Sequence, residues 1–330
     1  MTRSPLALAA AVVVVVLFGT HFATALNDFA ELAGVDIDWP GLPVPVNLPA
    51  ANLTAAGIWL LFRIRHPAHN RTPGSSATGL AAWCAAGLTI AGLALLPHLG
   101  QAADTAATVL LAGAGAWLCA AVAADVGAPL WRGRLPGEIV RRWDITAITA
   151  CTVMLAGQTT SMLWGEWIAQ LGPAETDQAN ATGLPNPVLF ATQALVAGLR
   201  EEIPLLAMPA VLMAAARRPA WQILLVVCAL RAVPHAYLGA PALATIVFAA
   251  AAWWMYRATG RIGPIIVGHT LYNATILFGG APGRLMLLAT IPGAVLLLLH
   301  APKAAPTWLR RWIQDKPARD RPVKAKGPAL

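Results

Sequence analysis

Charge is scarce in this chain. Asp, Glu, Lys and Arg together make up only 12% of its 330 residues, against about 25% in soluble domains. Acidic residues are the rarer kind, 15 against 23 basic ones. Cysteine is almost missing: Cys84, Cys119, Cys151 and Cys228 stand singly in apolar stretches with no C-x-x-C spacing. That excludes a disulfide framework and a thiolate metal site, and leaves each thiol as a small buried hydrophobe. There is no H-E-x-x-H helix of the zinc-protease kind. Nor is there an internal repeat, which counts against a transporter built from inverted halves.

What fills the chain instead is apolar, with 58% hydrophobic residues in runs of the roughly 20 residues that cross a bilayer. The pattern predicts an all-α, polytopic membrane helix bundle of ten spans, near 5–25, 44–62, 79–99, 105–129, 145–171, 187–214, 221–239, 241–256, 262–278 and 285–299. With the N-terminus in the cytoplasm, all basic residues except Arg200, Arg231 and Arg284 fall in cytoplasmic loops or ends. The outer loops collect Asp28, Glu31, Asp36, Asp38, Asp104, Glu175 and Asp177. This is the positive-inside distribution, and it puts both termini inside a cell membrane, here the plasma membrane. The net charge of +8 is thereby topogenic rather than a nucleic-acid footprint, so no nucleic-acid partner is expected. Arg3, the apolar run after it and Ala23-Thr-Ala25 resemble a signal peptide, but the charge pattern needs this segment as a span.

Buried chemistry is confined to the second half. Residues 1–186 form five spans with almost no ionisable group, and Gln158, Thr159, Thr160 and Ser161 make their one polar patch, with hydroxyls expected to bond their own helix. Glu201 and Glu202 then stand side by side in an apolar span, with Arg200 as its only other charge. A carboxylate at bilayer depth costs about 2.5–3.5 kcal/mol on insertion scales, so two together need a reason. Successive helical residues point about 100° apart, so one glutamate can face a cavity while the other orients it. Pro204 predicts a kink there. Arg231 and His235 share a face of the next span, and His269 and Asn273 share a face two spans later. Glu and His also suit zinc, so a divalent metal stays open, although no cofactor is required. His235 falls near the outer edge of its predicted span, whereas Glu201 and His269 lie nearer the middle.

In this order, Glu201-Glu202, then His235, then His269-x-x-x-Asn273, the motifs resemble the CAAX protease and bacteriocin-processing family of intramembrane glutamic endopeptidases. The family motifs are E-E-x-x-x-R, F-x-x-x-H and H-x-x-x-N/D, and the resemblance covers 187–280. It implies that Glu201 is the general base, that Glu202 assists it and that His235 helps activate water. His269 and Asn273 would meet the oxyanion, no metal would be needed, and the substrate would be a membrane-associated peptide or lipidated protein. Residues 281–302 would be the last span and 303–330 a basic cytoplasmic tail that lies on anionic lipid or is simply solvated. Two positions depart from the motifs: Leu206 stands where the arginine belongs, and Arg231 where the phenylalanine belongs. Arg231 is therefore expected to supply the missing charge, with Arg200 as further electrostatic support. A proton-coupled transporter and a non-catalytic immunity or scaffold protein would use the same buried groups.

Overall fold

The structure is a computed structural model that describes residues 47–65, 75–125, 145–171 and 186–300, together with Leu130, Ala174 and single positions between 13 and 35. The expected first span, most of the loop at 172–186 and the basic tail lie outside the described residues. Every regular element described is helical, and a helix underlies each expected span from 44–62 onward. In chain order these are α1 (Leu48–Arg65), α2 (Ser75–Leu95), α3 (Gln101–Asp125), α4 (Ile145–Ile168), α5 (Pro187–Glu201), α6 (Met208–Ala215), α7 (Ala220–Ala232), α8 (Thr245–Thr259), α9 (Gly263–Phe278) and α10 (Gly280–His300).

Among the described residues, three stretches are long and apolar enough to cross a bilayer on their own: Gln101–Ala124, Ala220–Leu238 and Gly280–Leu298. Leu48–Ile64 and Gly79–Leu95 are shorter apolar helices. Phe62, Leu80, Trp83, Ile90, Leu285 and Met286 all stand exposed on the outside of the bundle. Large side chains of this kind have a favourable solvent in lipid and none in water. The chain is a membrane protein.

Helix α4 is the hub. It packs against α8, α9, α10 and the turn at Ala240–Ala244, while α5 is clamped between α3 and α9. Backbones approach closely where glycine removes the side chain, the usual means of association in a medium that offers no hydrophobic drive between helices. A Cβ on Gly268 would meet the Cys151 carbonyl oxygen and Met154 Cβ, both at 2.9 Å, which locks α9 to α4 one residue from His269. One on Gly198 would meet the Ile266 carbonyl oxygen at 2.8 Å, three residues before Glu201. Helix α5 itself begins at a defined point, because the Asn186 side chain accepts from the amides of Val188 (3.0 Å) and Leu189 (3.3 Å) while Pro187 fills the first turn. Cys119, Cys151 and Cys228 are buried as expected, whereas Cys84 is exposed on α2.

A Cβ on Gly198 would meet Thr270 Oγ1 at 2.7 Å as well as the Ile266 carbonyl oxygen, and that backbone oxygen cannot swing aside. Gly198→Ala should therefore destabilise the protein by about 1–3 kcal/mol through overpacking, read as lowered thermal unfolding in detergent. Unchanged stability would mean that α5 and α9 do not meet this closely.

Candidate active site

Two proline-containing stretches shape the site. At Pro204 the expected kink takes the form of a π-helical segment, Glu202–Ala207, between α5 and α6. Proline has no N–H to give the α-helical ladder, and the wider turn re-pairs the neighbours: the Met208 amide donates to the Ile203 carbonyl, five residues back. Glu201 ends the α-helix and Glu202 opens the π-helix, so the change of pitch falls between the two carboxylates. At Pro234, α7 tightens into a 3₁₀ segment, Val233–Leu238, instead of ending. A 3₁₀ turn rises faster per residue than an α turn. The segment thus carries His235 on past the end of α7.

The charged groups form one buried cluster. Arg231, on α7, is only 2% exposed and donates through Nη1 to Glu201 Oε2 and through Nη2 to Glu202 Oε1, the latter at 2.6 Å. His269 Nδ1 lies 2.6 Å from the same Glu202 Oε1. The Arg231 guanidinium sits 4.6 Å from the centre of the Phe248 ring, and that ring meets His269 edge-on at 5.9 Å. Glu201 Oε1 accepts from Arg200 Nη2 at 3.2 Å. Glu202 is fully buried, and its Oε2 has no hydrogen-bond partner. The space between the carboxylates that a metal cation would take is filled by Arg231, and among the described residues no group of three or more His, Cys, Asp or Glu is spaced to hold a metal ion.

Glu201, His235, His269, Asn273 and Arg200 all line one cavity of about 1050 Å³ between α4, α5, α9 and the 3₁₀ turns, whereas Glu202 does not reach it. The division of labour expected from helical geometry is therefore present: one glutamate faces the cavity and its neighbour lies behind. His235 Nδ1 lies 2.7 Å from the Arg231 carbonyl oxygen. A carbonyl can only accept, so Nδ1 carries the proton, and in a neutral ring the lone pair then lies on Nε2. Tyr237 stacks on the His235 ring at 5.9 Å between centroids.

Some expectations change in detail. Thr159 and Thr160 bond their own helix as expected, but Ser161 donates across to the Ala244 carbonyl at 2.7 Å, tying α4 to the turn beside the cavity. Asn273 Nδ2 donates to the Ala194 carbonyl at 2.6 Å, so this side chain also fastens α9 to α5. Leu206 is a buried apolar core residue. Phe248, Tyr237, Gln158 and Gln193 belong to the site, and motif order did not single them out. Phe248 lies in an aromatic and alanine run indistinguishable from core, while Tyr237 had one available signal, its place two residues after His235.

Residues 183–275 match the family model described as type II CAAX prenyl endopeptidase Rce1-like. This segment is similar to an Rce1-like domain. No curated protein and no solved structure matches the chain. The Rce1-like match spans every residue of the cluster: α5 with Glu201, the π segment with Glu202, α7 with Arg231, the 3₁₀ segment with His235, and α9 with His269 and Asn273. The family so described is one of endopeptidases.

Removing Arg231 would leave Glu202 with no arginine and Glu201 with only its 3.2 Å contact to Arg200. Arg231→Leu should destabilise the protein by about 3–5 kcal/mol, the range for breaking a buried ion pair. Glu202→Gln in the same chain should recover a large part of that loss, as read by thermal unfolding in detergent. Additive losses in the double variant would mean that Arg231 does not serve Glu202.

Proposed function

We propose that this protein is a glutamate-dependent intramembrane endopeptidase that hydrolyses a peptide bond of a membrane-associated or lipidated protein, with ten spans and both termini on the cytoplasmic side of the plasma membrane. The observation that carries the reading is the meeting of Glu201, His235, His269 and Asn273 at one cavity, with Glu201 as the member of the glutamate pair that reaches it.

In this mechanism a water molecule sits between Glu201 and the Nε2 of His235. Glu201 takes one proton, and the oxygen adds to the scissile carbonyl carbon. The negative charge passes to the carbonyl oxygen, where Asn273 and His269 supply the donors. Asn273 has a second amide hydrogen beyond the one given to Ala194, and His269 acts as the imidazolium, with its Nδ1–H held by Glu202 and its Nε2–H left to donate. The C–N bond then breaks, the leaving nitrogen takes the proton from Glu201, and a carboxylic acid and an amine are released, the acid passing its proton to the amine or to water. Glu202 and Arg231 hold this arrangement from behind: Glu202 orients the His269 ring, and Arg231 keeps the two carboxylates from repelling each other. The cluster of Glu201, Glu202, Arg231 and Arg200 is neutral in sum, which permits four ionised groups in one interior.

Purified protein in liposomes, presented with a library of membrane-tethered peptides, tests this reading directly. Wild type should cleave, and Glu201→Gln and His235→Ala should each lower kcat at least 10²-fold, the scale of a lost acid–base group. Cleavage that survives both substitutions, or no cleavage by wild type, overturns the assignment.

A further inference from the structure

The cavity lies wholly toward one end of the bundle. Its wall is α4 from Gln158 to Ala169, α5 from Phe190 to Glu201, α9 from His269 to Leu277, the start of α10, and the 3₁₀ turns that join α7 to α8. Four residues further along each main helix the wall stops. Met154 before Gln158, Leu205 after Glu201, Ala252 after Phe248 and Ile265 before His269 are all apolar and at most 1% exposed. The cavity is therefore blind on that side, closed by packed side chains. Its rim is at the opposite side, where Glu166 and Arg284 pair at 2.7 Å with side chains 50% and 60% exposed. Charges this exposed are costly in hydrocarbon, so the rim stands in water or among headgroups. Trp164 and Trp167, both exposed, flank Glu166 on α4, as in the aromatic belt at a membrane surface.

The charges say which surface this is. Away from the cavity, the same helices end among arginines: Arg217 and Arg218 between α6 and α7, and Arg257 and Arg261 at the turn from α8 to α9. At the cavity end Arg284 is balanced by Glu166, and Asp104, which accepts from Gln193 of the cavity wall at 3.0 Å, adds a negative charge. Basic residues stay on the cytoplasmic side of a membrane protein. We infer that the cavity opens to the extracytoplasmic face of the membrane and is closed to the cytoplasm. A chain reaches Glu201 only from that face. The bond cut there belongs to a polypeptide already inserted into the bilayer or carried across it, so polypeptide translocation is the class of reaction that supplies the substrate. The side of the opening follows from packing and charge alone, whereas its use by a peptide rests on the endopeptidase reading.

Thiol labelling tests the side without any need for catalysis. Membrane vesicles are prepared right-side-out and everted from cells that express the full chain with Cys84→Ala, which removes an exposed native thiol. A membrane-impermeant thiosulfonate should label Ala194→Cys, on the cavity wall, and Ala169→Cys, nearer the rim, in right-side-out vesicles. Arg218→Cys, exposed at the opposite end, should label in everted vesicles. Two cavity positions keep the test intact if one variant does not fold. The reverse pattern, labelling of all three from one side, or no labelling of either cavity position overturns the inference. The wild-type chain in the same two preparations is then given membrane-tethered peptides from outside. Right-side-out vesicles should cleave them and everted vesicles should not. Cleavage in everted vesicles, alone or equally with the others, overturns the inference and leaves the endopeptidase reading standing. Cleavage in neither, with the labelling as expected, sinks the endopeptidase reading and leaves the side of the cavity established.

Discussion

Two carboxylates and a guanidinium buried separately in an apolar bundle would each carry a desolvation penalty of several kcal/mol, so Glu201, Glu202 and Arg231 are tolerable only as a unit. That requirement fixes more than the three side chains. Arg231 comes from α7, the glutamates from the junction of α5 with the π segment, His269 from α9, and Phe248 from α8. The position of each of these elements is tied to one charge cluster, and a shift of any of them would strand an ion. The same cluster decides which groups reach the cavity, because Glu202 is turned back onto Arg231 and His269 while Glu201 remains at the wall.

Around the cluster, irregular helix replaces regular helix. Proline removes amide donors in the π segment and in both 3₁₀ turns, and each stretch relieves the loss by changing its pitch. At bilayer depth irregular backbone survives only when it is buried in protein or lines a cavity, and all six π residues are buried. Glycines on α5 and α9 let the flanking helices approach to backbone contact, and Asn273 and Ser161 close the assembly with bonds to carbonyls of neighbouring elements. The framework is therefore held by small residues and a few directional bonds, as expected where lipid removes the hydrophobic drive between helices.

The arginine of this domain is not where the family motif puts it. Position 206 is a leucine within the apolar core, and the charge arrives instead from α7, one helical turn before His235. Because the Arg231 carbonyl also accepts from His235, one residue fixes both the glutamates and the tautomer of the histidine. A phenylalanine is likewise present at the cluster, as Phe248 of α8 rather than at position 231. Charge and aromatic ring are both retained in the interior, from other helices.

Composition and periodicity were enough for the helical membrane character and for the position of each described helix, since both depend on local runs of apolar residues. The order of Glu201-Glu202, His235 and His269-x-x-x-Asn273 was enough to point to an Rce1-like domain and to the residues that share its cavity. The spacing of Glu201 and Glu202 alone implied that one would face inward and one behind. Only the tertiary structure decided which one, because that depends on where Arg231 and His269 stand across the bundle. Nor could spacing reveal that Arg200 covers Glu201 Oε1, that Phe248 underlies Arg231, or that Pro204 widens the helix rather than breaking it. Those are a side-chain rotamer choice between neighbours, a contact between residues distant in sequence, and a choice between two ways of re-pairing a backbone, and the energy that settles them lies in packing that no single segment contains.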